Sequence, residues 1–262
     1  GINEHGLSVS NHYFTGEASY ATEKEQGFIN LAPEEFIVWV LGFVKDIADL
    51  KYKAARLNIM NIKNPALDVV PPLHFLITDR HGYTVAVEPH DGKLIVKDNY
   101  VNVLTNAPNL EWHIENLRNY PFLTPTKHQP KVTGKVLIRP MGVEDGTAGL
   151  PGGYTSTERF VRASYLRNNL EDAQDETTNI TNCFKVLDAV SIPRGAVIDA
   201  QETHYTQYQL VLDSKTKTYY IKPYYNNTLF QITLTEALLS AADLTYFPLE
   251  NTFSTVSLND ND

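Results

Sequence analysis

The sequence predicts an α+β protein, on three observations. Apolar residues early in the chain recur at helical spacing, the stretch after them switches to short β-branched runs, and this helix-then-strand order occurs a second time before the end. Turn residues between the runs join them as hairpins, which favours a layered α+β arrangement over a doubly wound parallel sheet.

Residues 30–58 predict two helices. Pro33 followed by Glu34 and Glu35 suits a helix first turn, and Phe36, Trp39, Val40, Phe43 and Ile47 follow the spacing of one buried stripe. Three β-branched runs follow at 75–78, 83–87 and 94–97, separated by Asp-Arg-His-Gly at 79–82 and His-Asp-Gly-Lys at 90–93. Those separators are turn chemistry, so the segment predicts an antiparallel meander. Pro108 stands near the start of a helix that Pro121 stops. Residues 122–149 are rich in proline, glycine and threonine without strong periodicity, and a loop of that length is usually functional or lies in a subunit contact.

Thr155 and Glu158 form a capping box that starts a helix running to about Asn169, with Arg159 in its first turn. A polar stretch leads to a further helix over 182–190, ended by Pro193. Residues 203–234 return to strands, with Tyr205, Tyr208, Tyr219, Tyr220, Tyr224 and Tyr225 as aromatic packing. With no internal repeat or low-complexity linker, one domain spanning 1–262 is the simplest reading.

Composition narrows the function. The chain carries 22 basic and 31 acidic residues, net charge −9, with no basic cluster, so nucleic acid and anionic membrane surfaces are poor partners. The longest apolar run, 36–44, falls well short of the roughly 20 residues that cross a bilayer. Cys183 is the only cysteine. It excludes an intrachain disulfide and a thiolate-rich metal site, and fits a reducing, cytoplasmic compartment. It lies on an apolar helical stretch and reads as core. His74 and Asp79 flank a strand with no third ligand at a recognisable spacing, and Gly-Leu-Pro-Gly-Gly at 149–153 lacks the Gly-Lys-Ser/Thr ending of a phosphate loop. No metal or cofactor is expected.

Two runs carry more information. Val-Leu-Thr-Asn-Ala-Pro-Asn-Leu-Glu-Trp-His at 103–113 and Gly-Leu-Pro-Gly-Gly-Tyr-Thr-Ser-Thr-Glu-Arg-Phe-Val-Arg at 149–162 each set one polar side chain, Asn106 or Arg159, amid glycine, proline and apolar neighbours. Read alone, Asn106 before Ala-Pro is a turn residue and Arg159 a helix-face arginine. The two runs, the opening Gly-Ile-Asn-Glu-His-Gly-Leu, Pro-Pro-Leu-His at 71–74 and Tyr-Tyr-Ile-Lys-Pro-Tyr at 219–224 occur in one order. Together they resemble the choloylglycine hydrolase family, N-terminal-nucleophile amidases that include bile salt hydrolases and penicillin V acylases.

That resemblance implies a four-layer αββα fold and hydrolysis of a linear amide by an N-terminal cysteine, with the chain's own α-amine as base. It makes Asn106 the side-chain donor to the oxyanion, Tyr13 the position of the second, backbone donor, and Arg159 a cation that favours thiolate over thiol. Met60, Leu67 and Val69 fall in a loop bordering the substrate, and 122–149 in the excursion through which the family assembles homotetramers. Tyrosine at position 13 is the penicillin V acylase choice where bile salt hydrolases carry asparagine, and an aromatic ring suits a phenoxyacetyl group. The expected substrate is therefore penicillin V, with a conjugated bile salt or an acyl-homoserine lactone as alternatives. Residue 1 is glycine, and the family's N-terminal cysteine and the arginine and aspartate that orient it have no counterparts here. The chain alone is expected to be inactive and prone to aggregate through an unpaired sheet edge, with its first segment supplied from elsewhere. A non-catalytic relative that keeps the fold is the other outcome.

Overall fold

The computed structural model describes residues 1–90 and 92–259 and divides into two units, Gly1–Tyr100 with Ser191–Asp262, and Val101–Val190. In the first, β1 (Ser8–Tyr13) is followed by β2 (Ile29–Leu31), helices α1 (Glu35–Phe43) and α2 (Ile47–Ala54), β3 (Leu57–Ile59) parallel to β2, and the meander β4 (Leu73–Thr78), β5 (Thr84–His90) and β6 (Lys93–Asp98). The sheet runs β1-β4-β5-β6, antiparallel throughout.

Alternation along these strands sends Val9, Phe75, Ile77, Val85 and Val87 to one face, where they pack with Phe36, Trp39, Val40, Ile47 and Leu50. Phe36 and Phe75 lie with ring centroids 4.4 Å apart. Burying each such side chain contributes about 1.5–3 kcal/mol relative to leaving it exposed. Phe43 departs from the predicted stripe and is 64 % exposed. The reason is local: α1 ends at Phe43, Val44 is extended, and the chain restarts at Asp46, so the helical period is broken and Val44 takes the buried place.

α2 begins at a true cap, the Asp46 carboxylate accepting from the Asp49 amide at 2.8 Å. The predicted turn at 79–82 forms around buried Asp79, whose Oδ1 accepts from the His81 and Tyr83 amides, with Gly82 at φ +84°. The predicted turn at 90–93 includes Asp91, outside the described residues.

In the second unit, α3 (Leu110–Asn116) starts one step later than Pro108 implies, because Asn109 supplies the cap and accepts from the Trp112 amide at 2.9 Å. A 3₁₀ turn, Leu117–Asn119, carries the chain to Pro121. Within 122–149, expected to lack regular structure, a short hairpin forms from β7 (Lys131–Thr133) and β8 (Val136–Ile138), turning at Gly134 with φ +61°. Helix α4 (Ser156–Asn169) obeys its capping box. Helix α5 (Glu176–Val190) begins six residues before the predicted 182. Its first turns are mostly polar and exposed, so apolar periodicity is silent there, but Asp175 accepts from the Thr178 amide at 2.7 Å and starts the helix.

The chain then returns to the first unit with the hairpin β9 (Val197–Asp199) and β10 (Glu202–His204), the antiparallel sheet β11 (Tyr208–Asp213), β12 (Thr218–Pro223) and β13 (Phe230–Thr233), and a one-turn α6 (Glu236–Leu239). Tyr205, Tyr224 and Tyr225 pack edge to face in succession, and Tyr220 is buried. Tyr208 is not part of that packing and is 60 % exposed. Its place at the first residue of β11 puts it on the outer face. Among the described residues, no helix is long and apolar enough to cross a membrane.

Candidate active site

The two runs singled out in the sequence meet in the second unit. Asn109 caps α3 so that His113, one turn in, comes back beneath residues 105–106, its Nε2 lying 2.9 Å from the Asn106 carbonyl oxygen. A carbonyl only accepts, so Nε2 carries the proton. His113 is fully buried and stacks on Phe160 of α4, centroids 4.4 Å apart. On the other side of Asn106, the Ser156 hydroxyl accepts from the Asn106 amide N–H at 2.9 Å. The Thr105 hydroxyl lies 2.9 Å from that same Ser156 Oγ and 3.1 Å from the Ser156 carbonyl.

Arg159 completes the arrangement. Its Nη2 donates to Asn106 Oδ1 at 2.6 Å and its Nε to the Tyr154 carbonyl at 3.0 Å. A guanidinium has only donors, so the amide must turn its oxygen toward Arg159 and its NH₂ away. The cation thereby fixes which face of Asn106 offers donors. Burial, and after it the charge of Arg162, hold the Arg159 guanidinium below the usual arginine range. It stays charged at any working pH.

The helix start is built to hold this geometry. Thr155 Oγ1 donates to Glu158 Oε2 at 2.7 Å and accepts from the Glu158 amide at 3.3 Å, while Glu158 Oε1 accepts from the Gly153 amide at 3.2 Å. The Thr155 hydroxyl is the main cause of a lowered Glu158 pKa. A Cβ on residue 153 would meet the Glu158 carboxylate, which would have to shift out of its bond to the Gly153 amide. Arg162, one turn beyond Arg159 and buried, donates to the carbonyls of Ala189 at 2.7 Å, Pro151 at 2.6 Å and Gly153 at 3.0 Å. It ties the glycine-rich approach and the end of α5 to α4.

The remaining sequence-predicted residues belong to the first unit. Tyr13 ends β1 and is 52 % exposed. Leu67 and Val69 are exposed on a loop folded around Asn64, whose Oδ1 accepts from the amides of Ala66 and Leu67. Met60, just before that loop, is buried, its sulfur 3.2 Å from Asn58 Nδ2. A separate open cleft of about 420 Å³, lined by Trp112, Glu115, Asn116, Arg118 and Asn119, lies on the outer side of α3 and contains neither Asn106 nor Arg159. The convergent hydrogen-bonded groups are those at Asn106. Among the described residues, no three His, Cys, Asp or Glu side chains are grouped to hold a metal ion.

Residues 1–247 match the linear amide C–N hydrolases of the choloylglycine hydrolase family. The chain belongs to this family. Over 83 % of its length, this choloylglycine hydrolase family member is 32 % identical to a conjugated bile acid hydrolase of Lactobacillus acidophilus, covering 69 % of that protein. It is 29 % identical to a bile salt hydrolase/transferase of Clostridium perfringens across 99 % of its length and 79 % of the relative's. The crystal structure of a mutant conjugated bile acid hydrolase from Clostridium perfringens superimposes with a TM-score of 0.89 over 98 % of this chain and 79 % of that one, at 29 % identity. A penicillin V acylase of Pectobacterium atrosepticum is 23 % identical over 89 % of this chain and 61 % of its own length. The α+β class and the amide-hydrolase family expected from the motifs are therefore those of the protein.

The sequence motifs contain Thr105, His113, Ser156 and Arg162, but nothing in their residue types marks a role. The available signal is the capping box: once Thr155 is the cap, Ser156 and Arg159 lie three apart on one helix face.

Proposed function

We propose that the protein hydrolyses the amide bond of a bile acid conjugated to an amino acid. The supporting observation is the difference in kinship: bile acid and bile salt hydrolases match at 32 % and 29 % identity, the penicillin V acylase at 23 %. The penicillin V expectation rests on the single side chain of Tyr13, and kinship spread over the whole chain outweighs it.

In this reading a cysteine thiolate attacks the amide carbonyl carbon and the carbonyl π pair moves onto oxygen. The Asn106 NH₂ group, turned outward by Arg159, donates to that oxyanion. Collapse restores the carbonyl and expels the amine, which takes a proton from the nucleophile's α-ammonium, and water then cleaves the thioester. The sulfur is not that of Cys183, which lies in α5. This reading assigns it to chain outside these 262 residues, with both units acting as parts of one N-terminal-nucleophile domain. Tyr13, Leu67 and Val69 are assigned to the substrate side. The exposed apolar side chains Val132, Val136, Leu137, Ile138, Met141 and Val143 support a contact between copies through 122–149, in a homotetramer.

The test is kcat/KM of the natural full-length protein on glycocholate, taurocholate and phenoxymethylpenicillin. At least about a tenfold preference, some 1.4 kcal/mol, for a bile acid conjugate is expected. Preference for the penicillin would overturn the substrate reading and restore the Tyr13 argument.

A further inference from the structure

We infer that Ser156 and His113 are positioning residues for the hydrolysis, holding the main chain of Asn106 so that its side-chain amide meets the oxyanion. This rests on Asn106 being the oxyanion donor. Three of the polar groups of Asn106 are held by three different side chains: its N–H by Ser156 Oγ at 2.9 Å, its carbonyl by His113 Nε2 at 2.9 Å, and its Oδ1 by Arg159 Nη2 at 2.6 Å.

Neither residue is explained by the fold alone. Ser156 is the first residue of α4, where a hydroxyl is not needed for capping because Thr155 already caps the helix. Its hydroxyl goes instead to Asn106 and Thr105. His113 is fully buried against Phe160, a place an aliphatic side chain would fill without the cost of desolvating a ring nitrogen. Its Nε2–H is spent on the Asn106 carbonyl. Ser156 and His113 act on opposite sides of the same Cα, so together they fix the backbone from which the amide projects. Losing either hold lets the donor drift, and a shift of about 1 Å in a catalytic group can cost about 100-fold in rate.

The test is a set of variants of the natural full-length protein assayed for kcat and KM. Ser156→Ala is expected to lower kcat about 10- to 100-fold with KM within about twofold, and Ser156→Thr, which keeps the hydroxyl, to restore most of it. Ser156→Val, nearly the same shape as Thr without the hydroxyl, serves if the alanine variant folds poorly. The decisive arm is the Asn106→Ala background, which keeps the main-chain groups that Ser156 and His113 hold but has no amide to aim. There Ser156→Ala and His113→Gln are expected to cost no further activity, while any effect on melting temperature persists. An equal loss of kcat in both backgrounds, or a loss confined to KM, overturns the inference. Full activity in Asn106→Ala itself would instead overturn the oxyanion reading beneath it.

Discussion

Asn106→Ala is expected to lower kcat about 10²- to 10³-fold on a conjugated bile acid, with KM within a few fold, in the natural full-length protein. In the proposed mechanism the amide NH₂ meets the carbonyl oxygen only as negative charge gathers there, so its removal, worth about 2.7–4 kcal/mol, falls on the transition state rather than on binding. The magnitude depends on preorganisation. Arg159 leaves the amide one orientation, at 2.6 Å, and a donor that need not turn during the reaction contributes its full strength. Asn106→Asp checks the sign of the group: a carboxylate satisfies Arg159 equally well but offers no donor, and repels the oxyanion. It is expected to be at least as slow as the alanine variant. A kcat within about threefold of the parent in either variant would remove Asn106 from the chemistry.

Arg162→Met is expected to destabilise the protein by about 3–5 kcal/mol, with a fall in melting temperature on the order of 10 °C. The side chain is buried and supplies donors to three carbonyls, those of Pro151, Gly153 and Ala189. Each charge-assisted bond contributes about 1.5–3 kcal/mol, and the effects are not additive, since one guanidinium satisfies all three. Methionine fills much of the volume but strands those oxygens. Arg162→Lys tests geometry against charge, because an ammonium cannot reproduce the planar fork, and it is expected to recover less than half of the loss. Thermal melting that moves less than about 2 °C for Arg162→Met would show that the carbonyls find other donors.

What the sequence made legible depended on how local the cause was. The meander and the start of α4 are written in alternation, turn residues and caps within a few positions of one another, and they form where expected. Phe43 reads as core because the helical spacing continues through it; only the break at Val44 turns it outward. The first turns of α5 escape a search for apolar stripes because most of that stretch faces solvent. At the site, Asn106 and Arg159 are recognisable through motif resemblance, since an asparagine before Ala-Pro and an arginine on a helix have commoner uses. Their partners are a different matter. Ser156 lies 50 residues from Asn106 in sequence and Arg159 lies 53 away, so the clamp exists only once α4 has packed beside α3. For substrate class, kinship favours the bile acid alternative over the penicillin V expectation, because one aromatic side chain is a narrow basis for choosing among acyl groups.

The most direct measurement is inhibition by an aldehyde analogue of the bile acid, with the reactive carbonyl in place of the scissile amide. The nucleophilic sulfur adds to it reversibly, and the new oxygen stands where the oxyanion forms. If Asn106 binds that oxygen, the inhibition constant rises in Asn106→Ala by the same factor as kcat/KM falls, about 10²- to 10³-fold. An inhibition constant unchanged by the substitution, beside a large loss of activity, would contradict the role assigned to Asn106.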